Sequence, residues 1–240
     1  SNIYASLSEG FKAGGYATYE CTEPYDPEEV TSLEFGFKGS LGDNTSLNAS
    51  LFRYDYTDFQ VLQVVGIQTV TRNAGDATVN GLELEALTNV SDSLTLNYGV
   101  TLLDATYGDF LNTNGLEPQL GVQQLEGNYL SNAPKVSVNF GLNYTNILSS
   151  GSSLTYRANA AYKSKIYFSE FNEYSQDAYT IVDLNLIWES ADETFRSRFF
   201  IKNATDEEYI SGYLSSATGG GRFGQWGYPR TAGIEIQRNF

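Results

Sequence analysis

Glu83 and Glu85 have the spacing of a paired-carboxylate site. At i and i+2 of a strand their side chains point to one face. Two carboxyls in different surroundings supply the acid and the base of general acid–base chemistry. The plainer reading is a charge network on that face, with Arg157 or Arg196 as partners. Cys21 is the single cysteine, and there is no histidine. That composition excludes an internal disulfide, a cysteine-based zinc site, a Ser-His-Asp triad and an imidazole-ligated metal. Glu20, Glu23, Asp26, Glu28 and Glu29 crowd one stretch and carry oxygen ligands suited to Ca²⁺, but without EF-hand spacing. They read as a solvated acidic loop. Gly219, Gly220 and Gly221 lack the lysine and the following helix pattern of a phosphate loop. The expectation is a non-enzyme with no metal and no cofactor.

What remains is binding chemistry, and it is aromatic. Tyr16, Tyr19 and Tyr25, then Phe110 and Tyr129, then Phe168, Phe171 and Tyr174, then Tyr209 and Tyr213, then Phe223, Trp226 and Tyr228 fall in long joints between patterned segments. Such side chains give large contact area at low entropy cost with a polar tip. The candidate ligand-binding residues are Tyr16, Tyr25, Phe171, Tyr174, Arg222, Phe223, Trp226 and Tyr228. Phe223, Trp226 and Tyr228, dense and flanked by glycine, lead that set for contact with a ligand.

The elements that must position these residues follow from period-two alternation, the mark of strands with one apolar face. Val136, Val138, Phe140, Leu142 and Tyr144 share a face against Lys135, Ser137, Asn139, Gly141 and Asn143. The same pattern recurs to give ten predicted strands and no helix. From Thr45 to Phe59 the pattern slips: Leu47, Ala49 and Leu51 share a face, then Phe52, Tyr54 and Tyr56 fall on the other. A bulge near Leu51 would account for it. The joints alternate between short ones (42–44, 90–92, 146–152, 190–192) and long ones (14–29, 60–77, 104–132, 168–177, 204–229). That is the layout of an antiparallel transmembrane barrel with short periplasmic turns and long extracellular loops. Charges lie on the polar face strand after strand, and aromatics such as Tyr98, Tyr144, Tyr162 and Trp188 end the apolar face, as interfacial girdles do. The polar-face set expected to face the lumen is Glu83, Glu85, Arg157, Lys163, Asp183, Arg196 and Arg198. A soluble β-sandwich is the alternative for many alternating strands.

With 29 acids against 14 basic residues, the net charge is -15. A nucleic-acid partner is not expected, because phosphate contacts need clustered cations. The long joints hold sixteen of the acids but only Arg72 and Arg222 of the cations. The acidity therefore belongs to one end of the barrel.

Seven segments resemble the C-terminal part of the barrel of TonB-dependent outer-membrane receptors. SEGFKAGG (Ser8 to Gly15) is similar to a strand end before an extracellular loop. PYDPEEVTSLEFGFKGS (Pro24 to Ser40) resembles the descending strand with its Pro-Glu entry. LNASLFRYDYTDFQV (Leu47 to Val61) is similar to the next, aromatic-rich ascending strand. RNAGDATVNGLELEA (Arg72 to Ala86) resembles the Asn-Ala-Gly…Gly-x-Glu-x-Glu strand. NAPKVSVNFGLNY (Asn132 to Tyr144) resembles the Pro-started strand, and IKNATDEEYISGY (Ile201 to Tyr213) the Asn-Leu-Thr segment, with Ala204 in place of Leu. GYPRTAGIEIQRNF (Gly227 to Phe240) resembles the last strand, ending in the aromatic that assembly machinery reads, with Arg238 in place of the usual apolar residue. The motifs stand in family order over nearly the whole chain.

The resemblance implies a barrel of about 22 strands around a plugged lumen, so that ten strands are a portion of it. The N-terminal plug, the remaining strands and the TonB-contacting region would lie outside residues 1–240. A chain without Met that opens inside a patterned segment fits that expectation. The implied partners are outer-membrane lipid, the plug, the TonB complex and a scarce nutrient, most often a ferric siderophore. The implied location is the outer membrane of a Gram-negative bacterium. The reading from a different class is a self-contained ten-stranded pore or adhesin, since ten is an allowed even number.

Overall fold

The computed structural model describes residues 1–17, 20–65, 68–216 and 221–239, without the side chains of 17, 20–23, 63–65, 68–69, 215 and 216. Ten strands form one antiparallel sheet: β1 (Asn2–Lys12), β2 (Glu28–Leu41), β3 (Thr45–Thr57), β4 (Ala77–Ser91), β5 (Leu94–Tyr107), β6 (Val136–Ile147), β7 (Ser153–Lys163), β8 (Tyr179–Glu189), β9 (Phe195–Lys202) and β10 (Thr231–Arg238). Each pairs with its neighbours in sequence. Among the described residues β1 pairs only with β2 and β10 only with β9, so the sheet is open. All ten predicted strands are present, and short and long joints alternate as expected.

The register turns alternation into continuous rows. Phe35, Leu51, Leu82, Leu102 and Val136 stand opposite one another across β2 to β6. Leu94, Tyr144, Tyr156, Leu186, Phe199 and Ile234 do so across β5 to β10. Apart from the half-buried Val136 and Leu94, these side chains are exposed, with Ile234 at 71%. An apolar face this broad is untenable in water and suits the outward band of a membrane barrel.

The expected bulge near Leu51 is not there. β3 pairs without a shift with β2, from Glu29↔Thr57 to Leu41↔Thr45, and with β4, from Thr45↔Thr88 to Tyr56↔Ala77. The one irregularity in the main sheet lies by the turn between β4 and β5, between Asn89 and Ser91. What slips is the chemistry of the faces. Next to the row of Leu51, Leu82 and Leu102, the same face carries Arg53, Asn80 and Asp104 in register. Arg53 grips Asp55 through Nε (2.8 Å) and Nη2 (2.7 Å). The opposite face turns apolar at the same level: Phe52, Val79 and Ala105 form a buried cluster with Tyr54, Tyr56 and Leu103 against it. The apolar band ends at Leu51, and beyond it the inner side takes over the burial.

Phe52 fits because Gly81 lies beneath it, and a side chain on Gly81 would collide with the Phe52 ring. Phe200 covers Gly233 in the same way. The cluster continues outward through Tyr56, Phe59, Tyr107 and Phe110, each ring 5.3 to 6.1 Å from the next. It ends in a second core of Val61, Ala74, Tyr107, Phe110 and Leu125. The core of this chain therefore sits at the loop end of the sheet.

The long joints are not bare loops. Each folds a two-stranded hairpin: Gly15–Ala17 with Glu20–Tyr25, Gln60–Val65 with Gln68–Asn73, Leu111–Thr113 with Val122–Gln124, Ile166–Tyr167 with Ser175–Gln176, and Ile210–Ser216 with Gly221–Trp226. The third joint also begins later than expected, since β5 runs to Tyr107 and takes Asp104 into the sheet.

Candidate functional site

Three hairpins meet at one cation. Arg222, on the hairpin between β9 and β10, donates through Nη2 to Glu117 Oε1 at 2.8 Å and lies 3.6 Å from Glu173 Oε1. Its Cζ sits 4.1 Å from the centre of the Tyr174 ring. Tyr213, from the partner strand of the same hairpin, stacks on Tyr174 (5.5 Å, 17°) and on Phe168 (5.6 Å, 14°). Glu173 is held from behind by Asn114 Nδ2, 3.0 Å from both carboxylate oxygens. One guanidinium thus joins the joints 108–135, 164–178 and 203–230. Strand alternation aims Tyr213 and Arg222 inward from adjacent strands, and the short pair Ile166–Tyr167 with Ser175–Gln176 sets Phe168 and Tyr174 near each other.

The electrostatics follow the contacts. The Glu117 carboxylate raises the Arg222 guanidinium above its ordinary range. Burial pushes the Tyr213 phenol up, and Arg222 beside it pulls in the opposite direction. Burial also raises the Glu170 carboxyl, with Glu173 nearby acting in the same sense. The assembly offers stacking faces, one planar cation and acceptor oxygens, which is the chemistry of binding.

The remaining candidates fall elsewhere. Phe171 packs on the core of Val61, Ala74, Tyr107, Phe110 and Leu125. Tyr16 is exposed and Tyr25 half-buried on the first hairpin, away from the hub. Phe223, Trp226 and Tyr228 are exposed, Tyr228 at 87%. The predicted leading cluster is not drawn into the hub; its neighbour Arg222 is. Glu117, Glu173, Asn114 and Glu170 were not singled out by the sequence, because nothing local marks an acid whose partner lies on another loop.

The acidic stretch of the first joint is partly structural. Glu28 Oε2 accepts from the Gln60 backbone N–H (2.7 Å), and the Asp26 carbonyl accepts from Asn73 Nδ2 (3.0 Å) and Gln60 Nε2 (3.1 Å). These bonds fasten the first joint to the second. The side chains of Glu20, Cys21 and Glu23 lie outside the described residues, as do Tyr19, Gly219, Gly220 and Phe240.

On the polar face, Glu83 and Glu85 share a recess of about 230 Å³ with Tyr4, Glu34, Lys38 and Asn48. The Tyr4 hydroxyl donates to Glu34, and Lys38 lies 5.4 Å from the Tyr4 ring centre. The expected network with Arg157 or Arg196 is not formed: β4 is separated from β7 by two strands and from β9 by four. Arg157 donates instead to Asn143 (2.8 Å), and Arg198 to Asn185 (2.8 Å) and Glu235 (3.3 Å). Asp183 accepts from the Asn203 backbone (2.8 Å). Arg196 stands opposite Glu189 and Gln237, and Lys163 opposite Ser137 and Tyr179.

Comparison with known proteins gives this fold a lineage. A probable TonB-dependent siderophore receptor, PiuA, from Acinetobacter baumannii is 28% identical over 191 residues, 78% of this chain and 24% of the receptor. The pesticin receptor of Yersinia enterocolitica is 25% identical over 244 residues, 99% of this chain and 34% of the receptor. Among solved structures, the ferric yersiniabactin uptake receptor FyuA from Yersinia pestis superposes with a TM-score of 0.81 at 21% identity, covering 99% of this chain and 35% of that one. The chain thus spans about a third or less of the length of the receptors it matches. The sequence profile described as TonB dependent receptor-like, beta-barrel matches residues 1–204, and the chain belongs to that family of outer-membrane barrels.

Proposed function

We propose that this chain forms part of the wall and outer loops of a receptor that binds a ferric siderophore on its outer face and imports it across the outer membrane. The observation that carries this reading is the hub of Arg222, Tyr174, Tyr213 and Phe168, which brings one guanidinium and three rings together at the loop end. Chelates built from aromatic and carboxylate groups meet such surfaces by stacking and by charge-assisted hydrogen bonds. The matched receptors support it by their named ligands. In this reading the apolar rows face lipid. Glu83, Glu85, Arg157, Lys163, Asp183, Arg196 and Arg198 face the lumen and meet an N-terminal plug. Tyr16, Tyr25, Phe171, Phe223, Trp226 and Tyr228 belong to the outer vestibule, and the TonB complex supplies the energy. Negative outer loops work against long-range steering of a highly anionic ligand, so short-range contacts at Arg222 carry the recognition. A self-contained ten-stranded pore or adhesin would need β1 to pair with β10, which does not occur among the described residues.

The test is growth under iron limitation of cells whose only receptor is the full-length protein, supplied with a panel of ferric siderophores. Rescue by at least one, lost when TonB is removed, is expected. No rescue by any of them, with TonB-dependent uptake of cobalamin or a glycan instead, would overturn the siderophore assignment.

A further inference from the structure

Beside the hub lies a cleft of about 70 Å³ between the joints 108–135 and 164–178. At roughly 30 Å³ per water-sized group its interior has room for two or three, enough for an ammonium head and the first carbons of a stem whose end lies in the open mouth of the cleft. Among the described residues its charged lining is Glu170 and Glu173, with no lysine or arginine. Glu170 Oε1 accepts from Asn112 Nδ2 (3.0 Å), as Glu173 does from Asn114 Nδ2. Both asparagines are buried, at 6% and 4% exposure. Their Oδ1 atoms are already engaged, accepting from the backbone N–H of Thr113 (2.7 Å) and of Leu116 (2.9 Å). What they turn toward the carboxylates is therefore NH₂, and each Oδ1 is turned to the backbone rather than to the carboxylates.

A third acceptor is at hand. Ser169 lines the same cleft, and its Oγ is buried without a hydrogen-bond partner. A buried hydroxyl left unpaired costs free energy that a donor would recover. Two carboxylates and one hydroxyl match the three donors of an ammonium group. Leu62, Leu116, Phe171 and Tyr213 add apolar and aromatic surface for a methylene stem, and a ring face attracts a cation.

We infer that this cleft binds a primary alkylammonium group. Glu173 also faces Arg222 at 3.6 Å, so the occupant competes with Arg222 for one carboxylate and couples the cleft to the hub. Burial raises the Glu170 carboxyl, so an ammonium beside it gains more than at a solvated carboxylate. That the amine belongs to the imported ligand rests on the siderophore reading; the binding of an amine does not.

The test uses purified full-length receptor in detergent and n-propylammonium as probe, followed by saturation-transfer NMR, with n-propanol as the neutral isostere. Saturable millimolar binding of the ammonium and none of the alcohol is expected, as suits a fragment of four heavy atoms. Glu170→Gln should weaken it by about tenfold or more, and Leu116→Trp, which fills the cleft while keeping both charges, should abolish it. Equal binding of propanol, displacement of the amine by Ca²⁺, or undiminished binding in both variants would overturn the inference. Should Glu170→Gln fail to fold, the propanol comparison and Leu116→Trp still decide. Ferric-siderophore uptake is scored separately: amine binding without uptake sinks the siderophore reading alone, and uptake without amine binding sinks the cleft alone.

Discussion

Arg222 and Glu117 lie 105 positions apart in sequence and meet at 2.8 Å, with each side chain less than a third exposed. The pair ties the last long joint to the third, and Tyr174 beneath the guanidinium ties both to the fourth. Loops carried on a rigid scaffold keep a binding surface only if their own motion is restrained, and this cation supplies the restraint.

Removing it should loosen three joints together. In Arg222→Ala, amide exchange in 108–135, 164–178 and 203–230 of the full-length receptor is expected to quicken by about fivefold or more, while the main sheet is unchanged. Arg222→Lys should recover only part of the protection, because an ammonium cannot reproduce the planar guanidinium over Tyr174. Acceleration confined to 203–230 would show that the hub does not couple the joints.

Gly81 should tolerate no side chain. The Phe52 ring occupies the space, so Gly81→Val forces the ring or the strand to move at a cost of about 1–3 kcal/mol. Phe52→Ala, which empties a buried ring site, should cost about 3–5 kcal/mol. Urea unfolding of the receptor in lipid vesicles measures both. A neutral result for Gly81→Val would contradict the packing described.

The two faces should respond oppositely to charge. Leu84 sits one row further inside the apolar band than Leu82, opposite Ala49 and Val100, and Leu84→Arg places a cation against hydrocarbon at about 2–4 kcal/mol. Asn139→Arg, on the polar face, should be nearly neutral. Equal yields of both variants in the outer-membrane fraction would argue against the assignment of faces.

Glu170 gives the fourth joint a pH dependence. Burial raises its carboxyl above the ordinary value of 4.5, with Glu173 adding to the shift. Only between the ordinary value and the raised one does the folded joint hold a proton that the unfolded one releases. Its contribution to stability is complete below the ordinary carboxylate value and is lost as pH rises through the raised one. Exchange protection of 164–178 should fall from acid toward neutral pH, and Glu170→Gln should flatten that dependence. The variant comparison separates Glu170 from Glu173 and Tyr107, the charged and titratable groups acting beside it. An unchanged pH profile in the variant would refute the assignment.

Period-two alternation made the ten strands legible, because each buries one face against lipid and the pattern is local. The same logic misled at Leu51: a change of face looks like a bulge when it is read on one strand alone. Only the parallel switches on β4 and β5, at Asn80 and Asp104, reveal the edge of a band. The aromatics of the site were visible by type, yet Trp226 and Tyr228 are exposed whereas Tyr213 and Tyr174 are stacked. That distinction depends on loops brought together across as many as 105 positions, which no local pattern carries. Some loop hairpins have strands of only two or three residues, too few for a period to declare itself, and the longer ones, such as QVLQVV and GRFGQW, carry no clean apolar alternation.

The most direct test of the account is uptake of radiolabelled ferric siderophore by cells relying on the full-length receptor, compared between wild type, Arg222→Ala and a strain without TonB. The account predicts TonB-dependent accumulation in wild type and a clear loss of ligand affinity in Arg222→Ala at equal outer-membrane abundance. Accumulation that is indifferent to TonB, or an affinity untouched by the loss of Arg222, would contradict it.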